Sequence, residues 1–198
     1  IGMAGTINSI TVWLKGNANL SEMPFAIYMT EENKSAFAGT TDWVTVTSAD
    51  LVYSGSVTVH NTDFAAYTFV LTTPFVYSGE GNLVISFDNN TGDWKSGLNG
   101  KVFTATDNVI RSIYARQDGT DYDPTNMSGI TAYSTVAARN VISFSITPSA
   151  NTYERPSTLE VANIAARQAT LNWTGGSGAF NVEYKMASNY DSDKNPNA

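Results

Sequence analysis

Apolar and polar residues alternate with a period of two along most of the first 148 positions, the pattern of strands with one buried and one wet face. Ile10, Val12 and Leu14 share a face against Ser9, Thr11 and Trp13, and Gly16-Asn17-Ala18-Asn19 stops the run. After Pro24, Phe25, Ile27 and Met29 alternate with Ala26, Tyr28 and Thr30, closing on the polar turn Glu31-Glu32-Asn33-Lys34. The stretch from Phe37 to Val46 is less regular, with Trp43 before the β-prone Val44-Thr45-Val46. Leu51 and Tyr53 begin a further strand, bent at Gly55 and continuing through Val57 and Val59 to His60.

The clearest stretch is Tyr67 to Trp94. Tyr67, Phe69 and Leu71 alternate with Thr68, Val70 and Thr72; Leu83, Ile85 and Phe87 alternate with Val84, Ser86 and Asp88. Pro74 cannot donate to a central ladder, so a kink is expected there, and Ser78-Gly79-Glu80-Gly81-Asn82 makes the turn. An acidic loop, Asp88 to Asp93, then leads to Trp94. Short β-like pieces follow at Val102 to Ala105 and Val109 to Ala115. Arg116 to Ala132 reads as irregular because of its Asp-Gly and Asp-Pro turn dipeptides, and Ile142, Phe144 and Ile146 close the run. About nine strands separated by turn signals predict an all-β fold, an antiparallel β-sandwich of jelly-roll type, and not βαβ units.

Composition narrows the partners. The 198 residues are 42% hydrophobic and only 15% charged, which suits an all-β domain with a real core. A net charge of -7, with eleven Lys and Arg, leaves no basic stripe to neutralise phosphates, so nucleic acid and anionic membrane are not expected partners. Zero cysteine removes disulfides, thiolate metal sites and Cys nucleophiles. No run approaches the ~20 apolar residues of a membrane span, so no membrane insertion is expected. The first residue, Ile1, and a strand beginning near Thr6 suggest a start inside a longer precursor.

From Thr147 to Pro156 the alternation gives way to Thr, Pro, Ser, Asn and Arg, which places a linker at 149–155 between units 1–148 and 156–198. Beyond it, Pro156-Ser157-Thr158-Leu159-Glu160-Val161, Ala169-Thr170-Leu171-Asn172-Trp173 and Phe180-Asn181-Val182-Glu183-Tyr184 read as three strands. This resembles the first half of a fibronectin type III domain, an immunoglobulin-like sandwich that needs seven strands, four of them missing here. The resemblance implies either a fragment of such a domain or a segment that leans on the first domain or a neighbouring chain. In that context the order and spacing of several motifs become informative: Gly5-Thr6-Ile7-Asn8-Ser9-Ile10, Ile27-Tyr28, Val52-Tyr53-Ser54-Gly55, Pro74-Phe75-Val76-Tyr77-Ser78-Gly79, Asn82-Leu83, Asp88-Asn89-Asn90-Thr91-Gly92 and Arg139-Asn140-Val141-Ile142-Ser143-Phe144. Residues 1–148 thereby resemble the adhesin-type sandwich domains that precede fibronectin type III modules in large secreted proteins of Gram-negative surface-colonising bacteria. The resemblance implies an extracellular or cell-surface location and neighbouring domains in the parent chain.

Candidate chemistry is sparse. His60 is the single histidine, at a strand end and without a nucleophile elbow, so no catalytic residue is assigned. Asp88, Asn90 and Asp93 in one loop, and Asp118, Asp121 and Asp123 in another, could supply hard oxygens to a structural calcium; both groups also read as ordinary Asp-Gly and Asx turns. Trp94, at the end of an Asp/Asn-rich loop, is the leading candidate for stacking on a sugar, with Tyr122, Tyr133 and Trp43 behind it; such rings also plug sandwich ends. The expected function is therefore a non-catalytic binding or adhesion module that engages a glycan or an extracellular protein through loops. The alternative is a structural spacer or the accessory domain of a secreted hydrolase.

Overall fold

A computed structural model describes residues 4–16, 20–92, 100–149, 158–165 and 168–174. The chain divides into two compact units, Ile1–Ser149 and Ala150–Ala198.

In the first unit, β1 (Gly5–Lys15) lies between β11 (Ile142–Pro148) and β4 (Ala65–Tyr77), and its end pairs with β6 (Lys101–Val102). A second antiparallel sheet has the order β3 (Leu51–Val59), β2 (Leu20–Glu32), β5 (Asn82–Asn89). Ile7, Ile10 and Val12 of β1 and Phe69 and Leu71 of β4 meet Ile27 and Met29 of β2 and Val52, Val57 and Val59 of β3 in one buried cluster. The protein is thus an all-β sandwich, and the side chains that alternate inward in the sequence are those that close it. Phe25 stacks on Phe69 at 5.3 Å and on Phe87 at 6.1 Å, and Tyr53 meets Phe69 edge-on at 5.1 Å, so aromatic contacts tie the sheets together.

The kink at Pro74 is resolved without ending the strand. β4 runs through it, but its pairing with β1 jumps from Ser9↔Val70 to Ile7↔Phe75, leaving four residues of β4 opposite Asn8 alone. Pro74 sits in that bulge, where no ladder position needs its missing N–H. Within the bulge the Thr72 hydroxyl donates to the Val52 carbonyl at 3.0 Å, joining β4 to β3 of the other sheet.

Three expected pieces differ. Val44-Thr45-Val46 forms no strand; Val46 is buried as coil ahead of a 3-10 turn at Ser48–Asp50, whose start is closed by reciprocal bonds between Thr47 and Asp50. The piece at 102–105 divides into β6 and β7 (Thr104–Thr106), the latter paired with β10 (Ala138–Asn140). Within 109–115 only β8 (Ser112–Tyr114) is strand, paired with β9 (Ser134–Val136). Arg116 to Ala132 is irregular as expected, apart from a 3-10 turn at Pro124–Asn126.

In the second unit, β12 (Thr158–Ala165) and β13 (Gln168–Thr174) form an antiparallel hairpin. The third expected strand, Phe180 to Tyr184, lies outside the described residues.

Candidate functional site

The site is built on the outward face of the β3-β2-β5 sheet. Along β2, Ile27 and Met29 point into the core, so Ala26 and Tyr28 stand on the opposite face. β5 pairs with them in unbroken register, Ala26↔Asp88 and Tyr28↔Ser86, while Phe87 and Ile85 face the core. Asp88 is therefore an outward-facing residue, yet it is only 8% exposed. Its neighbours accompany the burial: with Ala26, Tyr28, Leu51, Ser54 and Asn90, and with Asp121 and Asp123 of the irregular 116–132 excursion, Asp88 lines a cleft of about 400 Å³.

Elements beyond the sheet hold that excursion in place. The Trp43 indole N–H donates to the Ile130 carbonyl at 2.8 Å, and the Ala132 N–H donates to the Thr40 carbonyl at 2.7 Å. Asp123 caps the 3-10 turn, its Oδ1 accepting from the Thr125 N–H at 2.8 Å and the Thr125 hydroxyl at 2.7 Å.

Charge in the cleft is uneven. Burial is the main cause raising the Asp88 pKa above the ordinary carboxylate range; a hydrogen bond from Asn90 acts the other way, and Asp121 and Asp123 add repulsion. Asp123 is shifted down by its bonds from Thr125. The Tyr28 phenol is raised, chiefly by burial and then by Asp88 and Asp123. What the arrangement offers a ligand is a concentration of acceptors beside one aromatic ring.

The two acidic stretches read as loops in the sequence thus contribute to one cleft, through Asn90 and Asp88 from the first, where the structure extends β5 through Asp88 and Asn89, and Asp121 and Asp123 from the second. Asp118 does not line it, and Asp93 and Trp94 lie outside the described residues. Among the described residues no group of three or more His, Asp or Glu side chains is arranged to hold a metal ion. Trp43 is half-buried and uses its N–H on the backbone. Tyr122 donates to Gln117 Oε1 at 3.1 Å, and Tyr133 is exposed beside Tyr114. The sequence reading missed Tyr28, Ser54 and Leu51. Tyr28 was legible, because its position between Ile27 and Met29 puts a large aromatic on the face that should have been wet. His60 is exposed at the end of β3 and lines no part of the cleft.

Compared with protein families, with curated proteins and with solved structures, the chain shows no significant match to any of them.

Proposed function

We propose that the first unit is a non-catalytic binding module of a larger extracellular or cell-surface protein, and that it takes a hydroxyl-rich ligand, a glycan, in the Tyr28–Asp88 cleft. The observation that carries this reading is the meeting of Asp88, Asn90, Asp121 and Asp123 around Tyr28 in an open polar cleft. Carboxylates and a side-chain amide accept and donate at sugar hydroxyls, and an aromatic ring packs against the apolar face of a pyranose. The resemblance of the sequence to adhesin-type domains supports the extracellular setting.

Hydrolysis of the same ligand is the catalytic alternative to binding. A glycosidase needs a proton donor and a second carboxylate free to act as base or nucleophile. Asp88 has a pKa raised mainly by burial, and Asp123 has one oxygen committed to two bonds from Thr125, which leaves Asp121 as the other carboxylate of the cleft, so release of reducing sugar is the measurement that separates hydrolysis from binding. Binding to the full chain is expected on a glycan array, without release of reducing sugar. The Asp121→Asn/Asp123→Asn double variant is expected to lose ten-fold or more of that affinity, equivalent to about 1.4 kcal/mol. The carboxylates accept directly from hydroxyls, so EDTA leaves binding unchanged; loss on chelation with recovery in calcium would contradict this and make an ion the bridge.

The spacer alternative has its own support in the tandem arrangement of two compact units. In that case the chain retains no glycan and no extracellular matrix protein, and deleting it alters only how the parent displays its other domains.

A further inference from the structure

A second surface, distinct in composition from the cleft, lies on the β8-β9 ribbon. Tyr133 is 58% exposed and Tyr114 is 39% exposed, with ring centroids 5.7 Å apart and planes inclined by 35°. Backbone geometry fixes the pair, since the Tyr133 N–H donates to the Tyr114 carbonyl at 2.9 Å where Tyr114 pairs with Ser134. The Arg116 guanidinium carbon stands 4.0 Å from the centre of the Tyr133 ring.

The other described arginines are spoken for. Arg111 and Arg139 both pair with Asp107, at 3.1 Å and 2.6 Å, whereas Arg116 is exposed, hydrogen-bonded to the Tyr133 side chain and attracted by Asp118, and forms no salt bridge among the described residues. A guanidinium held over an aromatic ring is pre-oriented, and its planar fork matches a carboxylate in two parallel hydrogen bonds. The exposed surface of Tyr114, and of Tyr133 where Arg116 does not cover it, suits the apolar face of a pyranose. Neither feature alone selects a ligand. Together they specify one that carries a carboxylate next to a sugar ring. A long polyanion fits poorly, because Asp118, Asp121 and Asp123 lie in the same excursion of a chain with net charge -7.

We infer that Tyr114, Tyr133 and Arg116 form a separate subsite for a single carboxylate-bearing sugar, of the sialic or uronic acid class. Arg116 takes the carboxylate and the tyrosines take the ring. The subsite uses none of the residues that line the cleft, so it stands or falls independently of the cleft reading.

The test is titration of the full chain with sialyllactose and glucuronyl-lactose, against lactose, followed by tyrosine fluorescence and by calorimetry. Saturable binding of at least one acidic sugar is expected, with lactose at least ten-fold weaker. Arg116→Gln is expected to abolish the preference for acid over lactose, at a cost of about ten-fold or more for a charge-assisted pair. Tyr133→Ala is expected to weaken acidic and neutral sugars together, with melting temperature as the check that it still folds. Asp121→Asn/Asp123→Asn is expected to leave the acidic sugar bound. The inference is overturned if neither acidic sugar binds, if lactose binds the Asp121→Asn/Asp123→Asn chain as well as the acidic sugars do, if Arg116→Gln keeps the preference, or if the double cleft variant removes acidic-sugar binding.

Discussion

Asp88 and Asp107 are both aspartates beside other charges, and the fold treats them oppositely. Asp88 faces other carboxylates under cover, so its folded pKa is raised, mainly by burial. Between the ordinary carboxylate pKa and that raised value the folded chain holds more protons than the unfolded one. Asp88 therefore costs stability increasingly as pH rises through that window. Asp88→Asn is expected to raise the melting temperature at pH 7 by a few degrees, and the gain should vanish below about pH 4, where the unfolded carboxylate is itself protonated. Asp107 accepts from the Asn108 N–H and from Arg111, with Arg139 adding attraction, which lowers its pKa. Its contribution is present above the ordinary carboxylate pKa and is lost as pH falls through the lowered one. Asp107→Asn is expected to lower the melting temperature at pH 7, with the deficit shrinking in acid. Two melting curves against pH, with slopes of opposite sign relative to wild type, check both statements. The acidity of both residues was plain in the sequence; the sign of each shift was not, because it depends on which segments fold over or beside them.

Strand β4 shows how far alternation carries and where it stops. Phe69 is 4% exposed and Val70 is 70% exposed, as period two demands for neighbours in one strand. Phe69→Ala is expected to destabilise the first unit by about 3–5 kcal/mol, as for other buried Phe truncations. Val70→Lys is expected to change stability by less than about 0.5 kcal/mol. Chemical denaturation of the two variants compares them directly, and similar losses would contradict the assigned face. The sandwich was legible because its core strands, β1 to β5 and β11, carry this alternation. Pro74 marked a real irregularity, although nothing local revealed that the chain would absorb it as a bulge and stay paired. The short ladders β7-β10 and β8-β9 were harder to read, since three-residue strands have too few positions to show a period. Val44-Thr45-Val46 misled for a related reason, because β-branched residues suit a buried coil segment as well as a strand.

Taken whole, the first unit places its candidate chemistry on one sheet face under a long excursion held by Trp43, Thr40 and the Asp123 cap. Aspartates in both loops could be read as ligands from their types alone. Their meeting could not, because β5 ends and the excursion begins more than twenty residues apart in sequence, and only the register Ala26↔Asp88 aims one toward the other. The aromatic of the cleft, Tyr28, was overlooked for loop-borne rings, although strand parity pointed to it. We propose glycan binding in this cleft. It is tested most directly by isothermal titration of the best glycan from an array into the full chain and into Asp121→Asn/Asp123→Asn. Saturable binding to the first is expected, with at least ten-fold weaker binding to the second and melting temperatures that show both are folded. Equal affinity for the two chains, or no glycan retained by either, would contradict it.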